Sequence, residues 1–183
     1  MTISISVCIF SLQISSRMIE FMNEFVFLDT DITGTEDYDI KGQDYSNLIN
    51  ICCKYCSVLS FRIVNSEISF KKELEKFQIP RPENIKYVYR HYYKNLENQS
   101  DIKYFRVCKE LKDLLLEIAD SIFELICGWG FKNPEDPVFY RDDGSVFFSS
   151  IIHDGKCFLF PTDSENISDI VSSDHWIHKN EIL

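Results

Sequence analysis

VFYRDDGSVFFSSIIHDGKCFLF, residues 138–160, contains three short aromatic and β-branched runs separated by two Asp-Gly turns. Aspartate and glycine accept the backbone angles of tight hairpin turns, and Val, Ile and Phe suit a pleated, half-buried surface. The pattern predicts strands at Val138–Arg141, Ser145–Ile152 and Lys156–Phe160, hence a three-stranded antiparallel meander.

Upstream, the apolar period lengthens. Ile102, Phe105, Cys108 (or Lys109), Leu111, Leu115, Ile118, Ile122 and Leu125 recur every three or four residues, which predicts one long amphipathic helix, begun by Asp101 and ended by Gly128. Further helices are expected over residues 44–60, capped by Asp44 or Ser46, over 66–77 and over 83–96. Asp163 or Ser164 caps a last short helix through Val171. A strand is expected at Glu24–Leu28, after which residues 29–42 are polar and acidic and read as a loop. The fold class expected is therefore α+β: a helical middle with a long amphipathic helix, then a C-terminal three-stranded antiparallel β-meander. Residues 1–21 form an extension or a strand, with Ile3, Ile5, Val7 and Ile9 in alternation. Residues 22–183 form a single α+β domain.

The chain has 183 residues, 45% hydrophobic and 14% aromatic, enough apolar surface to support a core. No run is long and apolar enough to span a bilayer. Seven cysteines, an odd number mostly in apolar runs, suit reduced thiols in the cytoplasm better than a disulfide framework. The formal charge is −10. Residues 29–44 carry six acids against Lys41, and residues 135–183 carry ten acids against three bases. Residues 62–112 carry twelve bases against seven acids. The field of the whole chain repels nucleic acid and anionic membrane and attracts a basic protein partner.

Several motifs carry chemistry. Asp29-Thr30-Asp31-Ile32-Thr33 follows the apolar strand and resembles the first motif of the haloacid dehalogenase-type phosphatases. That resemblance implies Asp29 as nucleophile, Asp31 as acid/base and Mg²⁺ as cofactor. The chain departs from the family pattern at Ile32 and Gly34. The same loop matches an EF-hand at Asp29, Asp31, Thr33 and Gly34, but Ile40 stands where a bidentate Glu belongs. Cys53-Lys54-Tyr55-Cys56 with His175 and His178 has the donor types of a zinc site, yet the cysteines fall inside an apolar helix. Cys157 beside His153 and Asp154 flanks a tight turn, with nothing to hold an oxyanion. Lys86–Lys94 is basic and aromatic and reads as a helix with a charged edge.

Small, acidic, cysteine-containing α+β domains without catalytic motifs resemble the bacterial immunity proteins of polymorphic toxin systems. The segment from Pro134-Glu135-Asp136-Pro137 to His153-Asp154-Gly155 carries that likeness. The resemblance implies a non-enzymatic, cytoplasmic inhibitor without cofactor that blocks a basic partner through carboxylates. The expected binding residues are Asp29, Asp31, Glu36, Asp37, Asp39, Asp142, Asp143 and Asp154. A Mg²⁺-dependent phosphatase using Asp29 and Asp31 is the first alternative. A structural or regulatory interaction module is the second.

Overall fold

The computed structural model describes residues 24–28, 39–63, 71–86, 102–126, 134–151, 155–172 and 175–178. Its centre is the stretch between the two Asp-Gly turns. Strand β5 (Glu135–Tyr140) pairs antiparallel with β6 (Val146–Ile151), and β6 with β7 (Lys156–Leu159). These strands do not stand apart as a meander. β5 continues onto β2 (Val58–Arg62), β2 onto β4 (Ile102–Arg106), and β4 onto the two-residue β3 (Gln78–Ile79). On the other side β7 pairs with β1 (Phe25–Leu28), and β1 with β8 (Trp176–His178). One eight-stranded sheet results, ordered β3-β4-β2-β5-β6-β7-β1-β8, with every neighbour antiparallel.

This overturns the expected helical middle with a separate three-stranded meander. The protein is mainly β, with a few short helices: α1 (Gln43–Tyr55), α2 (Lys71–Glu75), α3 (Lys109–Ile118), α4 (Ile122–Ile126) and α5 (Ser168–Val171). The long helix expected from Ile102 to Leu125 is three elements. Ile102 and Tyr104 face one side of the sheet, Phe105 faces the other, and all three are buried. A strand buried on both faces loses its polar alternation, so its spacing passes for helical. The helical part then breaks at Ala119, which is extended (φ −149°, ψ 150°). The helix expected over 44–60 begins at Gln43 after Gly42 (φ 58°), with no side-chain cap, and ends at Tyr55. Val58–Ser60 belong to β2. Residues 83–84 form a turn with no helix following through residue 86, and Arg81 donates to the Ile85 carbonyl at 2.8 Å there. The last helix starts at Ser168, later than the expected caps Asp163 and Ser164. The expectations for residues 1–21, 66–70 and 87–96 lie outside the described residues.

The main core lies between one sheet face and the helices. Leu59, Phe61, Phe105, Phe139, Phe148 and Leu159 meet Tyr45, Leu48, Ile49 and Cys52 of α1 and Leu111 and Leu115 of α3. The α1 residues recur at the spacing of one helical stripe. A register shift between Phe139 and Tyr140 puts Phe147 beside Phe148 in the same core, where Phe147 meets the ring of Tyr55 at 5.7 Å. The opposite sheet face is buried too, with Val58, Tyr104, Val138 and Tyr140 at one end and Val26, Ile151 and Phe158 at the other. Among the described residues no helix is long and apolar enough to cross a membrane.

Candidate functional site

The β5–β6 turn displays two of the expected binding residues, Asp142 and Asp143, both exposed. The sequence builds this tip in three layers. Gly144 adopts φ +83° and donates its amide to the Arg141 carbonyl at 3.0 Å, closing the turn. A Cβ at Gly144 would collide with the backbone carbonyl of Asn84, so only glycine fits. The Asp143 carboxylate accepts from the Ser145 amide at 2.9 Å and the Ser145 hydroxyl at 2.6 Å, the Asx-turn bonding that Asp-x-Ser favours. These bonds hold its carboxyl below the ordinary aspartate value, so it stays charged. Finally, Asn84 donates its side-chain amide to the Asp142 carbonyl at 2.6 Å.

Arg141 anchors the base of the tip. Its guanidinium forms a bidentate pair with Glu165, 2.7 Å on each arm, and donates to the carbonyls of Val146 (2.8 Å) and Phe160 (2.6 Å). It also lies 5.2 Å from the Phe147 ring centre. Burial alone would push the Glu165 carboxyl up. The bonds from Arg141 and from the Thr162 amide outweigh it and hold Glu165 below its usual value. Arg141 is the only base between residues 134 and 151. Its side chain is mostly buried against Glu165, and it also donates to the Ser145 hydroxyl at 3.1 Å, so its charge reaches Asp143 from beneath the tip. Asp163, exposed in the Thr162–Glu165 turn, is tied to the tip through this pair.

Asp39 sits elsewhere and is half-buried. Its carboxylate accepts from the Phe123 amide at 3.3 Å, at the start of α4. Burial pushes its carboxyl up, only partly offset by the Ser121 hydroxyl, the amides of Phe123 and Ile40, and Lys41. It is engaged in joining the loop to α4, unlike the outward pair at the tip. Asp29, Asp31, Glu36, Asp37 and Asp154 lie outside the described residues. Leu28, which precedes Asp29, pairs with Lys156 at the sheet end remote from the Asp142–Asp143 turn. Glu135 and Asp136, in the segment that carries the immunity-protein likeness, are buried, and Glu135 meets Arg62 at 3.4 Å.

β1, which precedes the Asp29-Thr30-Asp31 motif, pairs antiparallel with both of its described neighbours. Cys157 is fully buried opposite Phe27. Cys56 lies near Arg141 and Glu165, whereas His178 packs on Phe25 at 5.0 Å. Among the described residues no group of three potential ligands gathers for a metal ion.

Sequence reasoning missed the tip's supports. Ser145 was legible as the partner of an Asx-turn. Asn84 and Glu165 were not, because they reach the tip from distant parts of the chain. Fold and site together define a mainly β domain bearing an acidic, internally braced hairpin tip. No family model, curated protein or solved structure matches the chain.

Proposed function

We propose that the protein is a non-enzymatic binding domain that docks on a basic protein partner and blocks it, in the manner of an immunity-type inhibitor. The observation that carries this reading is the Asp142–Asp143 tip: two exposed carboxylates on a backbone already fixed by Asn84, Ser145 and Arg141. Pre-ordered charges lose little conformational entropy on binding. The net charge of −10 adds a long-range field that speeds encounter with a cationic surface and weakens in salt. The five described cysteines form no disulfide with one another, which suits the cytoplasm as its compartment.

A tagged pull-down from the native cell, washed at low and then moderate salt, tests the reading. The expected result is one basic partner, released by salt. The double variant Asp142→Asn/Asp143→Asn should then slow association by roughly tenfold at low salt and change little at high salt. A captured partner whose binding ignores both salt and this variant would overturn the role of the tip. No partner at either salt would overturn the inhibitor reading itself.

A further inference from the structure

Two half-buried cysteines lie outside the tip and have no part in it. Cys53 is on the third turn of α1, and Cys108 immediately precedes α3 with an extended backbone (φ −152°, ψ 174°). The two helices run antiparallel, and three hydrogen bonds set their register. Tyr45 donates its hydroxyl to the Leu115 carbonyl at 2.8 Å. Further along α1, Lys112 donates to the Asn50 side chain at 3.0 Å. Beyond the end of α1, the Val107 amide donates to the Ser57 carbonyl at 2.8 Å. Cys53 and Cys108 fall between the last two of these bonds.

Helical spacing aligns them. Cys53 is one turn beyond Asn50 on the same face of α1, and Cys108 is one turn before Lys112, whose amide donates to the Cys108 carbonyl at 3.0 Å. Where Asn50 faces Lys112, the next turn of the same seam places Cys53 on the side of α1 that faces the start of α3. Both side chains pack on the same core. The electrostatics agree: burial pushes the Cys53 thiol up to about 12, Lys112 acts against this, and Cys108 adds to it.

We infer that Cys53 and Cys108 form an oxidation site, a dithiol that a hydroperoxide converts to a disulfide stapling α1 to the start of α3. Cys108, whose thiol bonds the Glu110 carboxylate, is the attacking sulfur, because burial makes Cys53 the poorer nucleophile. It loses its proton to solvent and takes the terminal peroxide oxygen. The O–O bond breaks, leaving an alcohol (water, for hydrogen peroxide) and a sulfenic acid on Cys108. The Cys53 sulfur then attacks the Cys108 sulfur, the S–O bond breaks, and water leaves. Two thiols are oxidised by two electrons in all, and one peroxide is reduced. Cys53 is the resolving partner. The inference is independent of the proposed binding function.

The test treats the reduced full-length protein with stoichiometric hydrogen peroxide, blocks remaining thiols and maps the peptides without reduction. The expected product is an intramolecular link between the Cys53 and Cys108 peptides. A bridge closing so long a loop should raise the melting temperature by roughly 10 °C, reversibly with a thiol reductant. Cys53→Ser and Cys108→Ser should each abolish the shift. Where a serine variant fails to fold, the peptide map of the wild type still decides. A link between any other pair, links only between molecules, sulfinic acid at Cys108 with Cys53 still alkylatable, or two unreacted thiols would each overturn it.

Discussion

Glu165 shows how one carboxylate can set a local structure. It accepts both arms of Arg141 and the Thr162 amide, with the Arg141 side chain 13% and its own 7% exposed. Removing one partner of so buried a pair strands the other charge. Glu165→Gln should therefore cost about 2–4 kcal/mol at neutral pH. The pH dependence follows from the direction of the shift. The folded carboxyl lies below its unfolded value of 4.5, so the pair's contribution is full above that value. It is lost as pH falls through the lower, folded value. Urea titrations of wild type and variant should show a constant gap from pH 7 to pH 5 that closes in stronger acid. A gap as wide at pH 3 as at pH 7 would mean that Glu165 acts through shape and not charge. The sequence displayed the acids, but not which of them are spoken for. Asp142 and Glu165 look alike in composition, and only the fold turns one outward and pairs the other.

At the scale of elements, the sequence contained a signal against the long helix. Ser121-Ile122-Phe123-Glu124 has the Ser-x-x-Glu spacing of a helix start, inside a stretch whose apolar period reads as continuous. In the structure the Ser121 hydroxyl accepts from the Glu124 amide at 2.9 Å, and Glu124 reaches back to the Asp120 amide at 2.6 Å. The break serves packing. It frees the Asp120 carbonyl to accept from Gly42 at 2.8 Å, and lets the Ile122 amide donate to Ile40 at 3.0 Å. The chain ahead of α1 is thereby tied to α4. Ser121 is buried, and its hydroxyl also bonds Asp39. Ser121→Ala should accordingly cost about 1–2 kcal/mol, at the upper end of cap losses. Ser121→Asp, which restores an acceptor but faces Asp39, should not recover it. Equal stability of Ser121→Ala and wild type in denaturant would show that the break is held by packing alone. The strands of β5, β6 and β7 were legible because Asp-Gly turns punctuate them. β4 was not, because burial on both faces erased the alternation by which a strand is recognised.

At the scale of the molecule, strand order was the part least visible in the chain. Periodicity identifies a strand but not its neighbour, and here the neighbours are remote: Phe25 pairs with Leu159 on one side and His178 on the other. β1 is the seam through which β8 joins the sheet. Phe27, buried, pairs with Cys157 and Trp176 across the two ladders, with its ring 5.3 Å from the Trp176 ring. The sheet is therefore incomplete until β1 and β8, far apart in sequence, are both in place, a topology rich in long-range contacts that fold slowly. Among the described residues the two outermost strands, β3 and β8, are only two and three residues long, a form that limits edge-to-edge association. This topology separates two truncations. A chain that starts at residue 22 keeps β1 and should unfold cooperatively with heat. A chain that starts at residue 29 lacks β1, leaves β7 without its partner and detaches β8, and should show no cooperative transition. Phe27→Ala, which keeps the backbone ladder but empties the seam, should fall between them with a loss of about 3–5 kcal/mol. If the chain starting at residue 29 melted at the wild-type midpoint, β1 would be an ornament of the sheet and not the strand that joins its C-terminal edge to its centre.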